Sequence, residues 1–299
     1  MLIAQITDLH VVENDRLCQG RVATNAQLQE AVAHINRLEP RPDVVLATGD
    51  LTDHGTVEEY EALREILAPL RPPVYFIPGN HDQRDVFLAA FTDHAYLPRP
   101  GAPFAHYVID QYQVRLIGLD TTMPGQHHGV LCAERLAWLD ATLQAAPHRP
   151  TLLFMHHPPF RTGIRWVDAI GLHGGRKMEA IVARHAQVEW VVCGHIHRPI
   201  QVAWGGTMAC TAPSTSHAQV ALALTERQGF DFAYVLEPRA VQLYVRDPGY
   251  GFLAHISYVT GTDTTYAPVN PARLREPFQR RYAELCHVEF DAASSARRL

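Results

Sequence analysis

Lysine is nearly missing. Lys177 is the only one among 26 Lys+Arg, so arginine carries the positive charge, which reflects codon usage rather than chemistry. Cysteine is sparse and scattered: Cys18, Cys132, Cys193, Cys210 and Cys286 form no C-x-x-C pair, and their number is odd. That spacing excludes a disulfide framework and cysteine-based zinc modules, and it favours a reducing compartment. No stretch approaches the roughly 18–20 apolar residues of a membrane span. The opening run, Leu2–Ile6, is too short for a signal peptide and lacks a basic start. There is no long basic segment either. With 31 Asp+Glu against 26 Lys+Arg and a formal charge of -5, gripping a nucleic acid polymer is not its main task. These absences predict a cytoplasmic protein with neither a membrane nor a nucleic acid partner.

A core can certainly be built. The chain has 299 residues, 47% of them hydrophobic, which excludes disordered and collagen-like classes and allows one large domain or two small ones. Histidine is the residue in excess, at 18; it is the side chain best suited to metals and proton transfer at neutral pH.

Short apolar β-type runs alternate with helical patterns. The runs are Leu2–Ile6, Val44–Ala47, Val74–Ile77, Val114–Leu119, Thr151–Met155 and Val188–Cys193. Between them, Leu28, Ala31, Val32, Ile35 and Leu38 fall on one helical face, as do Leu136, Leu139 and Leu143, and Met178, Ile181 and Val182. Thr24 with Gln27, and Thr56 with Glu59, have capping-box spacing. Repeated strand–helix units predict an α/β sandwich with buried strands. After His217 the pattern changes to hairpins: Ala221–Thr225, Phe232–Leu236 and Val241–Val245 read as strands, the last two joined through Glu237-Pro238-Arg239. From residue 266 onward Pro, Arg and Ser dominate, which predicts an arm. The expected division is therefore 1–217 as a catalytic core, 218–265 as a hairpin region completing the sheet or forming a cap or oligomer contact, and 266–299 as a C-terminal arm.

The chemistry lies where the strands stop, which is where ligands gather in open α/β sheets. The first run ends in Asp8-Leu9-His10, the second in Gly49-Asp50, and the third in Gly79-Asn80-His81-Asp82. The fifth ends in His156-His157 and the sixth in Gly194-His195-Ile196-His197. On extended backbone, residues i and i+2 point the same way, so Asp8 and His10 can share a cavity, as can His195 and His197. Gly49, Gly79 and Gly194 allow close approach of the backbone. Each piece alone is common; five in this order are not.

The ordered set D-x-H, G-D, G-N-H-D, a lone His and G-H-x-H resembles the calcineurin-like metallophosphoesterases. The short spacings and His156-His157-Pro158-Pro159 are similar to the branch of bacterial class III cyclic-nucleotide phosphodiesterases and glycerophosphodiesterases. The resemblance covers residues 8 to 197. It implies a four-layer α-β-β-α sandwich with a C-terminal hairpin-rich extension, and two divalent metal ions per chain (Mn, Fe, Zn or Co). One ion would be held by Asp8, His10, Asp50 and His197. The other would be held by Asp50, Asn80, His156 and His195, with Asp50 bridging. Such a donor set, without thiolate, does not choose among these metals.

The resemblance also implies that His81 stabilises the transition state or protonates the leaving oxygen. Asp53 is expected to orient it, because a carboxylate partner favours the charged imidazole. Asn80, His81 and His217 are expected to contact substrate. Asp82, with Asp85 three residues on, reads equally as a helix N-cap or as part of the chemistry. His157 is expected beside the ligands rather than among them. His127 and His128 read as loop residues at the rim, and 160–172, with Arg165 and Trp166, as a specificity lid or simple packing of the tryptophan.

The implied activity is hydrolysis of small phosphodiesters by in-line attack of a metal-activated hydroxide. Cyclic nucleotides such as cAMP stand ahead of glycerophosphodiesters because of the Asp53 carboxylate and the cytoplasmic character. A phosphomonoesterase on the same site is a further alternative, and a metal-free scaffold is disfavoured by the intact ligand positions. Relatives assemble through elements outside the core, which implies a homo-oligomer, a dimer or larger.

Overall fold

The computed structural model describes residues 1–222, 224, 233–247 and 249–259. The expected arm, 266–299, lies outside them, as do Ala223 and Thr225 of the expected strand Ala221–Thr225.

Two sheets pack face to face. The first has the order β15-β14-β1-β2-β3, from β1 (Leu2–Ile6), β2 (Val44–Thr48), β3 (Val74–Ile77), β14 (Ala240–Asp247) and β15 (Gly251–Tyr258). The second has the order β10-β11-β9-β7-β5-β4, from β4 (Tyr107–Ile109), β5 (Arg115–Leu119), β7 (Thr151–Met155), β9 (Val188–Cys193), β10 (Ile200–Trp204) and β11 (Thr207–Thr211). Two short ribbons stand apart: β6 (Gly129–Val130) with β8 (Leu172–His173), and β12 (Gln219–Val220) with β13 (Tyr234–Val235).

Burial shows why these runs form strands. All positions of β2, β5 and β7 are buried, as expected for strands covered on both faces. Ile3, Val44, Leu46 and Ile77 of the first sheet meet Leu116, Leu153 and Val191 of the second in one apolar core. The other face of the first sheet, with Ala4, Ile6, Val45 and Phe76, packs on helices α1 (Thr24–Arg37), α2 (Val57–Leu67) and α3 (Arg84–Ala90). Helices α4 (Ala133–Gln144) and α6 (Gly175–Val182) contribute Leu136, Leu139, Met178 and Val182 to the core of the second sheet. The result is a helix–sheet–sheet–helix sandwich. The short α5 (Arg165–Ala169) belongs to a small separate cluster, described below.

The Thr56–Glu59 capping box forms as expected, with both reciprocal bonds present. The one expected at Thr24 does not. Thr24 is already inside α1, and its hydroxyl donates to the carbonyl of His10 at 2.7 Å. The late hairpin also differs from expectation. Tyr234–Val235 pairs with Gln219–Val220, whereas β14 pairs antiparallel with β1 on one side and β15 on the other. The hairpin therefore joins Asp247 to Gly251 rather than running through Glu237-Pro238-Arg239, because β14 fills the edge of β1 and takes its second partner from the segment that follows.

Candidate metal centre

The parallel strands of both sheets run their carboxyl ends to one place. Asp8, His10, Asp50 and His197 each offer a ligand atom within 4.8 Å of the others, and all four are buried. The i, i+2 pairs do share a cavity, but not on extended backbone. Asp8 (φ 53), His10 (φ 44), Asp50 (φ 47), His195 (φ 72) and His197 (φ 54) are all left-handed, a conformation that non-glycine residues hold only where surrounding structure compels it. Hydrogen bonds supply that compulsion: the amides of Leu9 and His10 donate to the Asp50 carbonyl at 2.8 and 3.0 Å, and the His195 amide donates to the Asp8 carboxylate at 2.9 Å.

Each expected histidine ligand has one ring nitrogen anchored. His10 Nδ1 bonds to the Asp53 carboxylate at 3.0 Å, His156 Nδ1 to the Thr48 carbonyl at 2.9 Å, and His197 Nδ1 to the Ala218 carbonyl at 2.8 Å. His195 is tied through Nε2 to the Ile170 carbonyl at 3.1 Å. Such bonds fix the tautomer, so the other nitrogen carries a lone pair. Those lone pairs converge. His10 Nε2 lies 3.3 Å from His197 Nε2, and His197 Nε2 lies 3.5 Å from the Asp8 carboxylate. His156 Nε2 stands 3.1 Å from Asn80 Oδ1 and 3.3 Å from Asp50 Oδ2. The same Asp50 oxygen is 3.8 Å from His10 Nε2, so it sits between the two groups of donors.

The electrostatics call for added positive charge. Burial pushes the Asp8 carboxyl up to about 6, and its Oδ2 has no hydrogen-bond partner among the described residues. Burial drives His195 and His197 down to about 3, keeping both neutral. Burial also opposes charge on His156, but the Asp50 carboxylate beside it outweighs this and carries the imidazole up to about 9. Carboxylate, carboxamide and imidazole oriented in this way suit a divalent cation, whose binding would displace the proton from His156.

The neighbouring positions resolve differently. His157 reaches toward His156 and His195, but both its nitrogens are engaged, by Thr121 Oγ1 at 2.7 Å and the His127 carbonyl at 3.1 Å. It packs against His156 and His195. The Asp53 carboxylate bonds to His10 and stands 3.8 Å from His81 Nδ1, which is held at 2.8 Å by the Asp53 main-chain carbonyl. The first helical residue after His81 is Arg84, so Gln83, not Asp82, is the N-cap of α3. Asp82 instead accepts from the amides of Leu51, Thr52 and Gly79 and from the hydroxyls of Thr52 and Tyr60. It is a buried clasp between the Gly49-Asp50 and Gly79-Asn80-His81 loops.

His217 lies over the first donor group, with ring centroids 4.8 Å from His10 and 5.1 Å from His197. Burial holds it down at about 2, and its Nε2 has no partner among the described residues. His81 lines a cavity of about 670 Å³ with Gln19, His54, Asn80, Arg84 and His127. His127 does reach the site, with Nδ1 3.4 Å from Asn80 Nδ2, whereas His128 stacks on His173. In 160–172, Trp166 packs with Ile164, Val167, Ile196 and Val220, and Ile170 supplies the carbonyl that holds His195.

The carbonyls of Thr48, Ile170 and Ala218, and the hydroxyl of Thr121, escaped the sequence reading. Main-chain acceptors leave no residue-type signal. Asp82 did leave one, as the fourth member of G-N-H-D.

The family model for calcineurin-like phosphoesterases matches residues 1–199. A probable glycerophosphodiester phosphodiesterase, GpdQ, of Arcobacter nitrofigilis is 37% identical over 260 residues, covering 87% of this chain and 93% of that protein. The 3′,5′-cyclic adenosine monophosphate phosphodiesterase CpdA of Escherichia coli (strain K12) is 32% identical over 213 residues, covering 71% and 75%. Among solved structures, a dimetal phosphatase from Danio rerio superposes with a TM-score of 0.62 at 14% identity, over 87% of this chain and 96% of that one, a likeness of fold.

Proposed function

The chain belongs to the calcineurin-like phosphoesterase family, and from that premise we propose that it hydrolyses small phosphodiesters at two divalent metal ions. Glycerophosphodiesters stand ahead of 3′,5′-cyclic nucleotides in this reading.

The observation that carries it is the convergence of the free nitrogens of His10, His156 and His197 on Asp8, Asp50 and Asn80, with His195 beside His156, each histidine being anchored through its other nitrogen. Asp8, His10, Asp50 and His197 would hold one ion, and Asp50, Asn80, His156 and His195 the other. When bound, such a pair clamps a phosphate and lowers the pKa of a coordinated water toward about 7.

The remaining steps belong to side chains. The Asp53 carbonyl fixes Nδ1 of His81 as a donor, so a second proton taken up by the ring would sit on Nε2, and the imidazolium would give it to the departing alkoxide. His217 Nδ1 meets the Ala218 carbonyl at 3.2 Å, which leaves Nε2 a buried acceptor without a partner among the described residues, so a hydroxyl of the substrate would complete its bonding. The Asn80 amide nitrogen, directed at His127, can meet the same group.

The substrate order follows from two points. The Asp53 carboxylate, which had put cyclic nucleotides first, supports a metal ligand that either substrate needs. The cavity beside His81 is lined by Gln19, His54, Gln83, Arg84 and His127, and no Phe, Tyr or Trp lines it among the described residues. Such walls suit a hydroxyl-bearing alcohol more than a purine, which is held by stacking. Likeness to the Arcobacter protein over nearly its whole length supports the same order. Tyr234, 5.3 Å from His217 and 42% exposed, offers one aromatic face and supports the cyclic-nucleotide reading. Residues 1–217 carry the donor side chains in this account; the region that follows adds the Ala218 carbonyl that holds His197 and two strands to the first sheet, and would offer contacts to a second copy.

The test is turnover of a glycerophosphodiester, a 3′,5′-cyclic nucleotide, an aryl diester and the matching aryl monoester, with Mn supplied. Preference for diesters, with the glycerophosphodiester cleaved fastest among the natural types, is expected. Faster monoester cleavage would overturn the diesterase reading.

A further inference from the structure

Both proposed ions straddle the two sheets: Asp8, His10, Asp50 and Asn80 follow strands of the first, whereas His156, His195 and His197 follow strands of the second. The site therefore depends on how far apart the sheets are held just beneath it. An apolar contact sets such a spacing loosely, because side chains repack; a hydrogen bond sets it within a few tenths of an ångström.

One buried polar side chain lies at that joint. Gln5 of β1 is 1% exposed and sits where the alternation of the strand places the apolar Ile3, on the face between the sheets. Its amide nitrogen donates to Thr48 Oγ1 at 2.8 Å and to the Cys193 carbonyl at 2.9 Å. Thr48 ends β2 and Cys193 ends β9, so one NH₂ group ties together two strands from different sheets. The residues that follow are Gly49-Asp50 and Gly194-His195, which place the bridging carboxylate and a ligand of the second ion.

The amide oxygen is fixed as well. It accepts from the Tyr244 hydroxyl at 2.7 Å, which in turn meets Cys210 Sγ at 3.2 Å, itself 3.1 Å from Trp190 Nε1. Both N–H groups and the oxygen of the carboxamide are thus engaged, which is what a buried amide requires. The joint is tight on its upper side too: a Cβ at Gly194 would fall 2.1 Å from Thr7 Oγ1 and 2.8 Å from the Thr48 carbonyl. That carbonyl already takes Thr7 Oγ1 at 3.1 Å and His156 Nδ1.

We propose that Gln5 is a positioning residue that sets the separation of the two sheets under the metal centre, and so the fit of the Asp50 and His195 donors to their ions. The proposal rests on the metal reading above. It concerns affinity for the ions rather than any contact with substrate.

The test is Mn(II) titration of the full chain, read by electron paramagnetic resonance, for wild type, Gln5→Leu, Tyr244→Phe and Ile3→Ala. Ile3 is fully buried on the same strand, one turn of the pleat further from the site, and its loss opens a cavity without touching the joint. Gln5→Leu is expected to weaken Mn binding by the roughly 10–100-fold typical of residues that orient ligands. Tyr244→Phe should weaken it less, and Ile3→Ala should lower the melting temperature with affinity near that of wild type. Wild-type affinity in a folded Gln5→Leu chain, or an equal loss in Ile3→Ala, would overturn the proposal. Should Gln5→Leu fail to fold, Tyr244→Phe decides: weaker binding supports it and unchanged binding refutes it. A wild-type chain that takes up no Mn would instead bring down the metal reading on which this rests.

Discussion

The Asp53 carboxylate stands 3.0 Å from Nδ1 of His10, and Nε2 of the same ring points at His197, 3.3 Å away. The carboxylate thus supports a ligand position. The hydrogen bond to His10 holds Asp53 at about 2 against the opposing effect of burial, so it is ionised throughout the neutral range. Asp53→Ala should weaken metal binding about 10–100-fold. Asp53→Asn, which can still accept from the ring, should lose less. Metal titration of the two variants checks the order; equal affinity in Asp53→Ala and wild type would contradict it.

His81 should behave in the opposite way. His81→Ala is expected to retain its metals and lose turnover by roughly 10²–10⁴-fold. Since the proton goes to the leaving oxygen, the loss should be greater for alkyl than for nitrophenyl esters. A uniform loss across leaving groups would leave His81 as an electrostatic group only.

Asp82 joins five donors from three segments, and Tyr60 is the only one of them on a helix. Asp82→Ala should destabilise the fold by at least about 2–3 kcal/mol, since several buried donors lose their acceptor at once. Tyr60→Phe removes a single bond and should cost about 1 kcal/mol. Chemical denaturation measures both. A stable Asp82→Ala chain would mean that the two loops are held by something else.

Gly79 leaves no room. A Cβ there would lie 2.2 Å from the Asp50 amide nitrogen and 2.3 Å from its carboxylate. Gly79→Ala should displace the Asp50 donor and abolish metal binding even where the chain remains folded, which metal content and circular dichroism together would register. Full metal content in this variant would refute the close packing of the two loops.

Much of this was legible in the chain itself, for definite reasons. β1, β3, β7 and β9 have the ends their apolar runs predict, because strands largely buried on both faces need predominantly hydrophobic sequence. Asp8, Asp50, Asn80, His156 and His195 were visible because strand ends concentrate chemistry. The backbone at Asp8 and His10 was not, since left-handed residues of this kind are imposed by long-range bonds to the Asp50 carbonyl. Nor was the partner of β14, whose place beside β1 depends on contacts more than two hundred residues away. Gln5 lies inside the apolar run of β1, and only its bonds to Thr48 and Cys193 give it a role.

Metal content bears most directly on the central claim. Wild-type protein reconstituted with Mn and freed of excess metal should hold two ions per chain, and Asp50→Ala should hold none, because one carboxylate serves both. A single ion in wild type, none at all, or a full complement in Asp50→Ala would contradict the account.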